Sequence, residues 1–187
     1  MPDIAFFRQL AQHETLCLEA CESYVKGSPR NRCTIATSNG ALLLSVPLQQ
    51  GKNQQQGIRS VLIANETAWQ RQHWRTIVSA YGSAPFWQHY APHFEPFYQK
   101  KYEFLWDFNY DLLVLVIKLL KIKTNIILSE TYEKSPDTTI YTDIRHSKKT
   151  KNTLVATPYP QVFSAKHGFL ENMSVLDGLF CVGKGVL

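Results

Sequence analysis

The spacing of apolar positions changes along the chain, and the change divides it into an extended first part and a helical middle. Ile4–Ala11 predicts a short helix with Phe6, Phe7 and Leu10 on one side. Thr15–Ala20 then alternates apolar and polar side chains in the manner of a strand. Pro29 marks a loop, and the runs Asn31–Ala36 and Ala41–Pro47 flank the turn signal Ser38-Asn39-Gly40. That arrangement predicts a β-hairpin. The Gln- and Gly-rich tract Gln49–Gly57 reads as a flexible crossing, with a third strand expected at Ile58–Ile63.

From Thr67 onward the apolar period lengthens to that of a helix. Thr67–Tyr81 is predicted as the central helix, opened by a Thr67/Gln70 capping box and closed by Gly82 as a left-handed cap. Trp69, His73, Trp74, Ile77, Val78 and Tyr81 share one half of its wheel. Ser83 and Pro85 predict a short helix through Tyr90 that Pro92 ends, and Pro96 opens another that carries Phe97, Tyr98, Lys101, Tyr102 and Leu105. Asn109 is the expected N-cap of a helix over Tyr110–Lys121, and Asn125–Leu128 reads as a short buried strand. Glu130–Pro158 reads as a long loop with a turn of helix near Thr142–Arg145. A brief strand follows at Gln161–Phe163, Gly168 breaks it, and Ser174 with Asp177 caps a last helix through Phe180. The predicted class is α/β, one mixed domain over residues 1–187. Its N-terminal strands and hairpin would pack against a mainly helical middle, with a short strand and helix at the C-terminus.

Composition narrows the class without naming a reaction. With 44% hydrophobic and 19% charged residues in 187, the chain can bury one sizeable core. The net charge of +5 favours an anionic partner. Its densest basic run, Arg145–Lys151, reads as a solvated loop, so nucleic acid is not the expected ligand. Four cysteines form no CxxC pair and no export leader is visible, which leads to an expectation of free thiols in a reducing cytoplasm. The longest apolar run, Leu112–Leu120, is interrupted by Lys118 and falls short of the roughly 20 residues of a membrane span.

Two places concentrate chemistry. The tract from Glu19 to Cys33 crowds acid, base, amide and phenol groups between two strands, where scaffolds present functional side chains. Arg30 and Arg32 can grip a phosphate or carboxylate, Lys26 can add a point charge, and Glu19 or Glu22 can act as a general base. The bland alternative is a set of surface salt bridges around a strand connection. The second place is His73, an imidazole on an apolar face beside Trp69. It is either a proton shuttle or a core residue bonded to a carbonyl. The tract Tyr24–Arg32 is expected to face His73 across one cleft, with Tyr24, Asn31 or Glu22 as its partner. His89 and His93 have metal-pair spacing, but Pro92 between them argues against one shared helix, so no metal site is expected. Cys33 reads as a small buried hydrophobe rather than a nucleophile, and neither a Walker A nor a GxGxxG motif is present.

Taken in order, the tracts LEACESYVKGSPRNRC, AWQRQHWRTIVSAYGSAPFWQHY, KKYEFLWDFNYDLL and YPQVFSAKHGFLENMSVLDGLF strongly resemble the WbqC-like family of bacterial proteins. The resemblance implies a bacterial cytoplasmic protein, since family members occur among genes for surface polysaccharide, including O-antigen, synthesis. Recurring family residues fall here on Glu19, Glu22, Tyr24, Lys26, Arg30, Asn31, Arg32, Trp69, His73, Trp74, Tyr81, Pro85, Gln161, Phe163, Gly168, Asn172 and Asp177. The chain departs from the family pattern at Cys21, where a histidine is typical, and at Glu171 and Lys184, where prolines are usual. Relatives also commonly begin with an extra strand, of which Pro2–Phe7 is expected to be the remnant. The implied function is a transferase-like enzyme acting on an anionic activated donor, a nucleotide sugar or an acyl donor. His73 and Glu22 are the catalytic candidates; Tyr24, Lys26, Arg30, Asn31, Arg32, Trp69, Gln161 and Asn172 are the binding candidates. The cofactor is left open by the resemblance. The alternative is a non-catalytic binding or assembly subunit with a protein partner in a biosynthetic complex.

Overall fold

The computed structural model describes residues 1–49, 56–134 and 157–187. Helix α1, Ile4–Leu10, is capped by the Asp3 carboxylate, which accepts from the Phe6 amide at 2.9 Å. Strand β1, Thr15–Leu18, follows, and then β2, Arg32–Thr37, and β3, Gly40–Ser45. The last two form the expected hairpin, antiparallel with Arg32 opposite Ser45. Gly40 closes its turn at φ +97, a conformation that costs other residues strain.

The expected third strand is absent. Ile58–Ser60 is a 3-10 turn, and Val61–Ile63 makes only isolated bridges, Leu62 to Phe104 and Ile63 to Leu48. Its flanking partners each run alongside for a residue or two before turning away, so no ladder propagates. Ile58, Val61 and Ile63 are nonetheless buried, which accounts for their apolar pattern.

Helix α2, Trp69–Tyr81, lies where the periodicity puts it, but both of its ends differ. No side chain caps its start. Gln70 instead reaches across to donate to the carbonyls of Phe97, at 3.1 Å, and Lys100. Gly82 stays right-handed at φ −57 rather than turning left-handed. Trp69, Ile77 and Tyr81 are buried as expected and Ala80 joins them, whereas Val78 is 40% exposed.

Helix α3, Trp87–Gln99, runs unbroken through Pro92 and Pro96, where two separate helices were expected. The reason is the face that the prolines occupy. Gln88, Pro92 and Pro96 are all exposed, so the carbonyls that lose their i+4 amide face water. The opposite side carries the buried Tyr90, Ala91, Phe94 and Tyr98.

Helix α4, Leu105–Leu120, begins four residues before the expected cap at Asn109. An apolar stripe of Leu105, Phe108, Leu112, Leu113, Val116, Ile117 and Leu120 carries it past that asparagine. The helix ends at Lys121 in the left-handed region, with the Ile122 amide bonded back to Ile117 O. Strand β4, Asn125–Leu128, then pairs with β1 in parallel, Thr15 opposite Asn125. Gln161–Phe163 is a turn and not a strand; it leads into the short α5, Ser164–His167, and then α6, Val175–Val182. The expected helical turn at Thr142–Arg145, the basic run Arg145–Lys151 and most of the Gln49–Gly57 crossing lie outside the described residues.

The chain is thus a mixed α/β fold, with two two-stranded ladders and a helical middle among the described residues. Aromatic rings hold that middle together. Trp74 stacks against Trp87 and Tyr98 at centroid distances of 5.6 and 5.4 Å. Phe180, fully buried on α6, meets Trp87, Tyr81 and Phe94 at 4.9, 5.3 and 5.8 Å. Burial of each such ring contributes on the order of 2–3 kcal/mol. Among the described residues, no helix is long and apolar enough to cross a membrane.

Candidate functional site

Between α1, the β1/β4 ladder, α4 and the start of β2 lies a cavity of about 1060 Å³. Its polar wall is the tract that follows β1. There the chain is held by backbone bonds rather than by a regular element. Tyr24 N donates to Gln56 O at 2.8 Å, and Ile58 N to Glu22 O at 2.9 Å. Pro29 presets a 3-10 turn over Pro29–Asn31 that delivers Arg32 to the first position of β2. Helix α4 pins this turn, because Asn109 Nδ2 donates to Arg30 O at 2.8 Å. Asn109 is therefore a positioning group and not a helix cap.

The charges on this wall are unevenly satisfied. Arg30 grips Glu22 bidentately through Nε and Nη2, with the two side chains 24% and 14% exposed. Arg32 lines the same cavity, and its Nε is buried without a hydrogen-bond partner among the described residues. Glu19, also on the wall, accepts from Ser129 Oγ and from Cys21 N, each at 2.7 Å. The rest of the lining is largely apolar, with Leu16 and Leu18 from β1, Leu112 and Leu113 from α4, and Ile127 and Leu128 from β4.

Of the ten catalytic and binding candidates, the cavity brings together Glu22, Arg30, Arg32 and Asn172, with Glu19 and Cys33 also in its lining. Asn172 is exposed and sits in the left-handed region at φ +59. Tyr24 is buried and donates to Asn31 Oδ1 at 3.2 Å, while Asn31 Nδ2 donates to Val46 O at 2.9 Å. Burial raises the Tyr24 phenol, with Arg32 and Arg30 pulling it the other way. Both residues brace the tract from behind. Lys26 is exposed and outside the lining.

His73 and Trp69 are not in the lining either, which corrects the expectation of one shared cleft. The His73 ring bonds to the backbone of Ser45 rather than to Tyr24, Asn31 or Glu22, and packs edge-on against Trp69 at 5.2 Å. Burial lowers its pKa to about 4, against the smaller upward pull of the Ser45 bond. Trp69 is itself enclosed, edge-on to Phe108 at 5.5 Å, with its Nε1 buried and unpartnered among the described residues. His89 and His93 do share α3, both exposed, with ring centroids 6.4 Å apart. Among the described residues, no group of three or more His, Cys, Asp or Glu is placed to hold a metal ion. All four cysteines are free, and burial raises the Cys33 thiol.

A family model described as the WbqC-like protein family matches residues 1–159. The chain belongs to that family. The match takes in every cavity-lining residue except Asn172 and Ser174, and it leaves Gln161 and Asn172 beyond its end. No curated protein and no solved structure matches the chain.

In this member of the WbqC-like family, Gln161 belongs to a second polar centre, built around an acid that the sequence presented as a helix cap. Asp177 is fully buried on α6. Its Oδ1 accepts from Tyr81 at 2.9 Å, and its Oδ2 from Tyr159 at 2.6 Å and Gln161 at 2.8 Å. Gln161 also makes a pair of hydrogen bonds with the Leu170 backbone, Nε2 donating to O at 3.0 Å and Oε1 accepting from N at 2.8 Å. Burial raises the Asp177 carboxyl, and the three donors pull it back down. Ser174 alone caps α6, accepting from Leu176 N at 3.4 Å. One signal in the sequence points to this centre. Asp177 stands inside VLDGLF, an otherwise wholly apolar helix, where a carboxylate needs buried donors.

Proposed function

We propose that this WbqC-like protein binds an anionic activated donor in its cavity and transfers a group from it during assembly of bacterial surface polysaccharide. The observation that carries the reading is Arg32. A guanidinium on a cavity wall, part desolvated and with no ion pair among the described residues, calls for an acceptor that those residues do not supply. The neighbouring Glu22–Arg30 pair supports it. The pair holds the carboxylate in a fixed orientation and neutralises Arg30, which leaves Arg32 as the cation of this tract with no ion pair among the described residues. In this reading Arg32 binds the donor's phosphate or carboxylate and Glu22 takes the acceptor's proton. Family membership supports the polysaccharide context.

Thermal unfolding of the full chain with inorganic phosphate, acetyl phosphate, UDP and a UDP-sugar tests the reading. At least one anion should raise Tm in a saturable manner, and Arg32→Met should remove the shift. No shift from any of them, in a folded sample, would overturn it.

One observation favours a second reading, the non-catalytic binding subunit. Glu22 is already engaged through both oxygens, and His73 lies outside the cavity lining. Transfer assays with Glu22→Gln separate the two. Retained binding with lost transfer marks an enzyme, whereas binding with no transfer by the unmodified chain marks a binding subunit.

A further inference from the structure

We infer that the anion taken by this cavity carries a hydrocarbon chain, so that the ligand is an amphiphile with a phosphate or carboxylate head and an acyl or isoprenoid tail. The inference rests on the reading of Arg32 above and narrows it to a substrate class. The cavity, about 1060 Å³, is larger than a small polar head fills, and its remaining wall carries a large aliphatic share beside the carboxylates of Asp3, Glu19, Glu130 and Glu133. That wall is assembled from four separate elements of the chain, which places it apart from a chance patch on one helix.

Three large hydrophobic side chains on this wall are left substantially exposed: Leu43 at 52%, Ile127 at 44% and Leu128 at 42%. They come from two different ladders, β3 and β4, and all three residues border the cavity, with the adjacent Ile127 and Leu128 on opposite faces of β4. Singly exposed hydrophobes are ordinary, but several on one concave surface mark a binding site. A nucleotide or sugar would leave these aliphatic walls in contact with water, because its own surface is polar. A hydrocarbon tail removes both surfaces from water together. The charge supplies the other half of the match: Arg32, whose Nε has no partner among the described residues, stands on the same cavity as the aliphatic wall, so head and tail are both accommodated. No charge-neutral lipid would use that arginine, and no short anion would use the wall.

The test is calorimetric titration of the full chain with a graded set of anions below their micelle concentrations. Inorganic phosphate, butyl phosphate, octyl phosphate and dodecyl phosphate vary the tail at a constant head, and farnesyl phosphate offers an isoprenoid tail. Dodecyl maltoside supplies a tail without the charge. Affinity should rise about two- to fourfold for each methylene that enters the wall. It should fall at least tenfold for the maltoside and for dodecyl phosphate on Arg32→Met. Ile127→Glu, at an exposed position, should flatten the chain-length series, and Leu43→Glu should do so from the other ladder. Stronger binding of dodecyl than farnesyl phosphate assigns an acyl tail, and the reverse assigns an isoprenoid one. If phosphate or a UDP-sugar binds as well as the long-chain anions, this inference fails while the anion reading stands. A chain-length gain that survives both glutamate variants, or equal binding of the maltoside, also overturns it. If no anion of any length binds, the reading of Arg32 itself has failed.

Discussion

Tyr81 donates its hydroxyl to Asp177 Oδ1 at 2.9 Å across 96 residues of sequence, and its oxygen accepts from Ala36 N at 3.0 Å. One phenol thus joins the end of α2, strand β2 and helix α6 in the deepest part of the core. Burial raises its pKa strongly, and the neighbouring Asp177 carboxylate adds to the rise, so it stays a donor at all working pH values. Replacing Tyr81 by Phe leaves Asp177 short of one donor and the Ala36 amide without its acceptor. Urea unfolding should show a loss of about 2 kcal/mol, with a Tyr81/Asp177→Asn cycle coupled by about 1 kcal/mol. A neutral Tyr81→Phe would mean that water replaces the hydroxyl.

His73 makes stability depend on pH in a definite direction. Its folded pKa, about 4, lies below the ordinary 6.5, so the unfolded chain takes up the proton first. Stability should therefore be full above about pH 6.5, decline as the pH falls, and level off near pH 4. Allowing for solvent screening of a part-buried ring, the loss should be on the order of 2 kcal/mol. Asp177, with its carboxyl raised by burial, acts in the opposite sense, so the comparison must be with a His73→Gln variant. The difference between the two chains, measured by denaturation at pH 4, 5, 6 and 7, should carry this slope. Parallel curves would show that His73 is not buried in its neutral form.

The path of α3 through Pro92 has its own consequence. At an exposed helical position proline costs about 3 kcal/mol against alanine, less about 1 kcal/mol for the stiffer unfolded chain. Pro92→Ala restores an amide facing the Gln88 carbonyl, and should stabilise the protein by about 1–2 kcal/mol in thermal and urea unfolding. A destabilised variant would indicate two helices meeting at Pro92.

Gly178 predicts the reverse sign for a similar change. A Cβ there would lie 2.4 Å from Val186 Cγ2 and 3.0 Å from Ile4 Cδ1, so α1 and the C-terminal turn pack directly on the glycine's backbone. Gly178→Ala should therefore destabilise by about 1–3 kcal/mol despite its better helix propensity, as measured by the urea midpoint. Val186→Ala in the same chain should recover part of the loss.

What the sequence determined is whatever a short stretch can satisfy for itself. The α1 stripe, the Ser38-Asn39-Gly40 hairpin, the body of α2 and the Ser174 cap were legible because their hydrogen bonds and apolar spacing are local. The crowding of charge between Glu19 and Cys33 was legible for the same reason, and four of the ten expected site residues meet at one cavity. The tertiary structure decided the rest, because it decides which face meets water. Pro92 breaks no helix where its face is exposed, and Asn109 caps none where α4 has an apolar stripe to extend it. His73 was read as a partner for the tract, but its ring bonds to the Ser45 backbone instead. Asp177 passed for a cap because its three donors come from residues 81, 159 and 161, and no local pattern encodes their convergence. The cavity depends on the same kind of contact. Part of its wall is the parallel β1/β4 ladder, which joins residues 15–18 to residues 125–128, a pairing that no local pattern encodes.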